Sequence, residues 1–151
     1  MRRLLTHIVF RPWWRLSRGL TLGVRAIVAD DEGVLLVRHS YVPGWHLPGG
    51  GVERGETLID ALTRELREEG NVVLEGVPRL HGIYSNERKF RGDHVALFVA
   101  DSWSQDGPPQ ANAEILETGF FPIDALPEGT APGTRRRLDE VFAGAPVSEH
   151  W

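Results

Sequence analysis

Three glutamates, Glu65, Glu68 and Glu69, stand at i, i+3 and i+4 within residues 50–72, GGVERGETLIDALTRELREEGNV. On a helix that spacing brings all three carboxylates to one face, close enough to converge on a point. The arrangement is costly. Like charges three or four residues apart repel by about 0.2–0.5 kcal/mol a pair, and acids in a last turn oppose the helix dipole by about 0.3–1 kcal/mol each. Arg64 offsets part of this through Glu68, although Arg before Glu is the weaker order. A cation would offset more: magnesium is hard, takes oxygen ligands, and is typically held by one or two carboxylates together with substrate phosphates. A solvated acidic face is the other reading of such a run. Here the run follows Leu47-Pro48-Gly49-Gly50-Gly51, whose glycines let backbone approach a metal or phosphate closely, and the two features together suggest a site.

The same stretch resembles the Nudix box, G-x5-E-x7-R-E-U-x-E-E-x-G-U with U aliphatic. Gly50, Glu56, Arg64, Glu65, Leu66, Glu68, Glu69 and Val72 fall on it, and Asn71 stands where the family has Gly. That Gly ends the helix in a left-handed conformation, which Asn adopts most readily after Gly. Asn71→Gly is therefore expected to be neutral or mildly stabilising. The segment Trp45-His46-Leu47-Pro48-Gly49-Gly50 also resembles the family.

The resemblance implies an α/β fold, an α/β/α sandwich with a mixed central sheet, and metal-dependent hydrolysis of a phosphoanhydride. Magnesium or manganese is the implied cofactor. Its implied ligands are Glu65, Glu68 and Glu69 with the Gly49 carbonyl, one glutamate doubling as general base. Glu114, in a late loop, resembles the place where some members add a ligand or base, and a solvated loop acid is the equal alternative. Glu56 and Arg64 are implied to tie the loop to the helix by charge pairing. A catalytically silent, ligand-binding relative is the alternative reading, against which the intact glutamates argue. An isomerase branch that uses cysteine is set aside because the chain has no Cys.

The implied substrate is a small diphosphate: a nucleoside diphosphate linked to another group, either a nucleoside triphosphate or a nucleotide sugar. Basic side chains should hold its phosphates. Arg38, with a surface ion pair as the alternative, and the basic loop Arg88, Lys89 and Arg91 are the candidates, with Arg25 a further one. Trp45 is a candidate to stack on a base or else a core anchor beside the loop, and Tyr84 and Phe90 are further aromatics for stacking.

The elements that must position these residues follow from patterning. Thr57 with Asp60 three residues on is an acidic capping box, and Leu58, Ile59, Leu62 and Leu66 form an apolar stripe, so a helix runs from Thr57 to about Glu69. Strands are expected at 20–30, 34–38, 72–74, 80–85, 94–100 and 115–123, a loop at 105–112 on the rim of the site, and a closing helix at 134–142.

A chain of 151 residues with 41% hydrophobic and 25% charged content suits one globular domain. It is expected to span residues 20–143, between a basic, aromatic arm over 1–19 and a tail over 144–151. The chain carries −4, yet residues 1–29 hold six Arg and no acid. The arm, with Trp13 and Trp14, is expected to pack on the domain or across a homodimer; contact with an anionic membrane surface is its other use. Nucleic acid is not an expected partner, since no reading module is recognised. No apolar stretch reaches the roughly 18–20 residues that span a bilayer, and Leu4–Phe10 is interrupted by His7 without a cleavage site, so a cytoplasmic location is expected.

Overall fold

Residues 21–30, TLGVRAIVAD, alternate in the sense that a two-faced strand requires, and they form the centre of the sheet. Val24, Ala26 and Val28 point into one buried cluster and Ile27 into another on the opposite face. The computed structural model describes residues 19–110 and 112–151; the arm, with Trp13 and Trp14, lies outside the described residues except for Gly19.

The elements run β1 (Thr21–Asp30), β2 (Gly33–His39), α1 (Leu58–Gly70), β3 (Val72–Leu74), β4 (Arg79–Ser85), β5 (Asp93–Ala100), β6 (Trp103–Gln105), β7 (Ile115–Phe121) and α2 (Pro132–Phe142). A five-stranded sheet has the order β4-β5-β1-β2-β7, with β1 and β5 parallel and the other neighbours antiparallel, so the sheet is mixed. Ala61, Leu62 and Leu66 of α1 close the cluster on one face, and Leu138 of α2 joins Ile27, Leu36 and Leu97 on the other. This is the expected α/β/α sandwich. Among the described residues, no helix is long and apolar enough to cross a membrane.

β1 and β2 pair only at their hairpin end, through Ala29 with Val34 and Asp30 with Gly33, and then part. Residues 45–52 fill the opening. Val24 and Ala26 donate their amides to the Gly50 and Pro48 carbonyls, Val52 donates to Leu22, and Val37 and His46 exchange both bonds. The wedge therefore satisfies backbone groups that the two strands would otherwise leave unpaired. At Gly49 φ is 135°, and a Cβ there would collide with the Val24 carbonyl, so only glycine lets the wedge lie so close.

The helix ends follow the expected chemistry. Thr57 Oγ1 accepts from the Asp60 amide at 3.1 Å while Asp60 Oδ2 accepts from the Thr57 amide at 3.0 Å. Asn71 closes α1 at φ 51° and ψ 33°, the single non-glycine residue with positive φ among those described. Its side chain adds something the pattern did not signal: Nδ2 donates to the Asp106 and Gly107 carbonyls at 2.7 and 3.2 Å. The expectation for Asn71→Gly changes accordingly. Relief of the left-handed conformation is set against two lost hydrogen bonds, so Asn71→Gly should fall within about 1 kcal/mol of wild type, on the destabilising side. Asn71→Val, forced into positive φ, should cost about 1–3 kcal/mol. Urea titration of both variants checks the order.

Two further differences have physical causes. β6 was not expected, and its last residue, Gln105, was placed in the 105–112 loop, because three residues are too few to show a period; the strand is fixed by pairing with β3 and by Gln105 Nε2, which donates to the Gly70 carbonyl at 2.6 Å. The tail over 144–151 carried no pattern, yet it docks beside β4: Ser85 donates to the Glu149 carbonyl and Trp151 donates to Ser85. Beneath it, Arg137, fully buried, gives Nη2 to Glu140 at 2.6 Å and Nη1 to the His150 carbonyl at 3.0 Å.

Candidate active site

The last two turns of α1 run beside the wedge, and their acids differ sharply in surroundings. Glu69 is buried, 6% exposed, with Oε2 accepting the Gly49 amide at 2.7 Å and Oε1 2.5 Å from His39 Nε2. Glu65 packs its carboxylate against Gly50, where an added side chain would have to displace that carboxylate. Burial pushes the Glu65 carboxyl above its usual range, with the charges of Glu69 and Glu68 adding, although Arg64 pulls the other way. Glu68 is 60% exposed, and its nearest cation is Arg64 Nη1 at 3.9 Å.

Arg64 organises the outer edge. It meets Glu56 through Nε at 2.8 Å and Nη2 at 3.0 Å, Glu65 at 2.6 Å and the Gly51 carbonyl at 3.1 Å. The guanidinium holds the Glu56 carboxyl down to about 2, helped by the Glu53 amide. Helix and wedge are thus clamped through one forked ion pair.

The structure brings Glu65 and Glu69 to the glycine loop and leaves Glu68 and Glu114 exposed. Among the described residues, no three acidic or imidazole side chains are gathered as closely as a metal site requires. The available donors, carboxylates and the Gly49 carbonyl, are nevertheless hard oxygens, the set that suits a divalent cation such as magnesium. The Gly49 carbonyl accepts from Arg25 Nη1 at 2.5 Å, and the same nitrogen reaches the Leu47 carbonyl at 2.9 Å. Glu114 is tied to the end of β2 by its backbone, whose carbonyl accepts from Ser40.

Two residues near these acids were missed in the sequence. His39 continues the parity of Leu35 along β2, and Leu35 faces α1, so alternation alone would have placed this imidazole under the helix. Its ring lies 5.0 Å from that of Tyr41. Burial raises the Tyr41 phenol, with Glu69, Glu114 and Glu65 adding and Arg25 opposing, which places Tyr41 within the field of the acidic face. A tyrosine on a short irregular loop gives no periodic signal.

Beside the wedge opens a cleft of about 410 Å³ whose wall includes Arg25, Gly50, Gly51, Lys89 and Phe90. Several substrate candidates need correction against it. Arg38 points elsewhere, paired with Glu117 at 3.0 Å, because the side chain at an exposed strand position meets its cross-strand neighbour. Trp45 is 7% exposed and packs edge-on against Phe121 at 4.8 Å, so it anchors the core and offers no free face to a base. Tyr84 is buried as well, donating to Glu140 at 2.7 Å. In the turn after β4, Lys89 and Phe90 line the cleft, whereas Arg88 and Arg91 are exposed outside its wall. The turn itself is pinned by Asp93, which accepts from Thr21 and Asn86, and by Glu87, which accepts the Gly92 amide.

The chain is similar to known proteins over most of its length. The family model for the NUDIX domain matches residues 19–141. The ADP-ribose pyrophosphatase of Methanocaldococcus jannaschii is 32% identical over 120 residues, 76% of this chain and 69% of that protein. The Nudix hydrolase YvcI of Bacillus subtilis is 31% identical over 125 residues, 78% of this chain and 77% of that one. Among solved structures, the MutT Nudix hydrolase from Burkholderia pseudomallei superposes with a TM-score of 0.69 at 26% identity, covering 81% of this chain and 98% of its own. With the box on α1, the glycine wedge beneath it and a family match over most of its length, the chain belongs to the Nudix hydrolase family.

Proposed function

We propose that this Nudix-type pyrophosphohydrolase cleaves the phosphoanhydride bond of a nucleoside diphosphate linked to another group, a nucleoside triphosphate or a nucleotide sugar, with magnesium or manganese. The observation that carries the reading is the position of Glu65 and Glu69 against Gly49 and Gly50, while Gly50 and Gly51 also wall the cleft that holds Arg25 and Lys89. Carboxylates for a cation and cations for phosphates therefore meet across one strip of backbone. Glu65, Glu68, Glu69 and the Gly49 carbonyl would hold the metal, with Glu114 a further oxygen donor at the rim. When bound, the metal neutralises phosphate oxygens and makes water a better nucleophile.

The chain's own residues supply the rest. Lys89 and Arg25 face the phosphates as positive charges, and the Arg64–Glu56 clamp fixes the loop against the helix so that the ligand set is held in place before substrate arrives. The ADP-ribose pyrophosphatase named above acts on a nucleotide sugar, which supports including that class. A panel of nucleoside triphosphates and nucleoside diphosphate sugars, assayed with magnesium and with the products identified, tests the proposal. Cleavage of at least one member at a phosphoanhydride is the expected result. Inactivity across the panel, with metal binding confirmed, would overturn the nucleotide assignment.

A further inference from the structure

The last ten residues, 142–151, lie beyond the region that matches the family, yet one of them reaches the cleft: Trp151 forms part of the same wall as Arg25, Gly50 and Lys89, beside Thr134 of α2. We propose that the segment 148–151 completes the substrate cleft and that Trp151 is a specificity-determining residue whose indole receives the aromatic base of the substrate. The inference rests on the cleft being the substrate site, as set out under Proposed function.

Trp151 is held from several sides. Its amide donates to the Ser85 carbonyl at 3.0 Å, the Ser85 amide donates to Glu149 at 2.8 Å, and Arg136 Nη2 donates to the Trp151 carbonyl at 2.7 Å. The indole meets Tyr84 edge-on at 5.6 Å, with the Arg137 guanidinium 5.4 Å from its ring. At Gly133 a Cβ would sit 2.6 Å from the indole Nε1, so the helix leaves room for the ring by having no side chain there. A large aromatic fixed in this way binds a flat partner with little loss of side-chain freedom.

Two other aromatics near the cleft lack such support. Phe90 is 65% exposed and Tyr41 is likewise mostly exposed, whereas Trp151 is partly buried in the core beneath α2. Stacking on an aromatic side chain tolerates any base, since every base has a π face. A preorganised ring on the same wall as Arg25 and Lys89 matches a ligand that is aromatic at one end and anionic at the other. The base would be received by Trp151, which lies outside the matched region, while the matched domain supplies the rest of the wall.

Calorimetric titration of the full chain with AMP and with ribose 5-phosphate, which lacks the base, tests this without requiring turnover. Trp151→Ala should weaken AMP by about tenfold or more, the range expected for one lost base stack. Ribose 5-phosphate should change by less than about twofold, because its phosphate contacts are untouched. Trp151→Leu keeps apolar bulk against Tyr84 and should behave as the Ala variant does, whereas Trp151→Phe should recover most of the AMP affinity. Equal losses for both ligands, or no loss for either, would overturn the inference. If the wild-type chain hydrolysed nothing in the diphosphate panel but retained Trp151-dependent AMP binding, the proposed activity would fall and this inference would stand.

Discussion

Replacing Glu68 with Gln should reduce magnesium-dependent hydrolysis by roughly 10²–10³-fold, since a metal that polarises phosphoryl oxygens supplies several kcal/mol of transition-state stabilisation. The fold should not suffer. Glu68 is the most exposed of the three box acids, its closest cation stands 3.9 Å away, and the neutral amide relieves repulsion with Glu65. The melting temperature without metal should therefore equal that of wild type or exceed it slightly. Activity and melting, measured on the same preparation, separate a metal ligand from a structural acid: full activity with magnesium contradicts the assignment, and a large fall in melting temperature points to a structural role. Glu69→Gln makes a less clean experiment. That carboxylate also holds His39 and the Gly49 amide, so its loss disturbs the wedge.

The largest stability effect is expected at Arg137. Its guanidinium is fully buried, lies 4.1 Å from the Tyr84 ring, and binds Glu140, whose other neighbours are the Tyr84 hydroxyl, the Ser148 amide and His81 Nε2 at 3.5 Å. Arg137→Met removes the arginine that compensates a buried carboxylate, leaving Glu140 the Tyr84 and Ser148 donors and the nearby His81, at a cost of about 3–5 kcal/mol. For a domain of this size that is a drop of about 10 °C in melting temperature. Burial alone would raise the Glu140 carboxyl, but bonds from Tyr84, Ser148 and Arg137 overcome it and leave the carboxyl below its usual value. A depressed folded-state value stabilises the fold above the unfolded carboxylate range, and the contribution disappears as pH falls through the folded value. The deficit of Arg137→Met should therefore narrow in acid. Thermal melts of both proteins across the acid range check this, and a constant deficit would show that the charge of Glu140 is not what the variant exposes.

Much of the fold was legible because it is written in local periodicity, whereas the candidate site residues came with the resemblance to the Nudix box. The α1 stripe and the capping box are read from residue types and spacing alone; the αL residue Asn71 and the Arg64–Glu56 pair were implied by the family pattern, and each likewise depends on residues within eight positions of one another. The substrate side was not legible in that way. Whether Arg88 or Lys89 faces the cleft is decided by how Asp93 and Glu87 pin a turn, and Trp45 is buried because Phe121, distant in sequence, packs against it. His39 lay within reach of strand parity, although Glu69, its partner, is thirty residues away. The role of the tail depends on a buried arginine inside a run, Arg135-Arg136-Arg137, that reads as a solvated helix face.

If the box face and the cleft together hydrolyse a phosphoanhydride with a divalent metal, the oxygen of the attacking water must end on phosphorus. The most direct measurement is turnover of a nucleoside diphosphate sugar in isotopically labelled water, with magnesium and then with the metal chelated, followed by mass analysis of the products. One labelled oxygen in one phosphoryl product, turnover that stops on chelation and returns with magnesium, and a Glu68→Gln protein that stays nearly silent throughout are the expected results. Turnover that persists without metal, or label that appears outside the phosphoryl products, would contradict this chemistry.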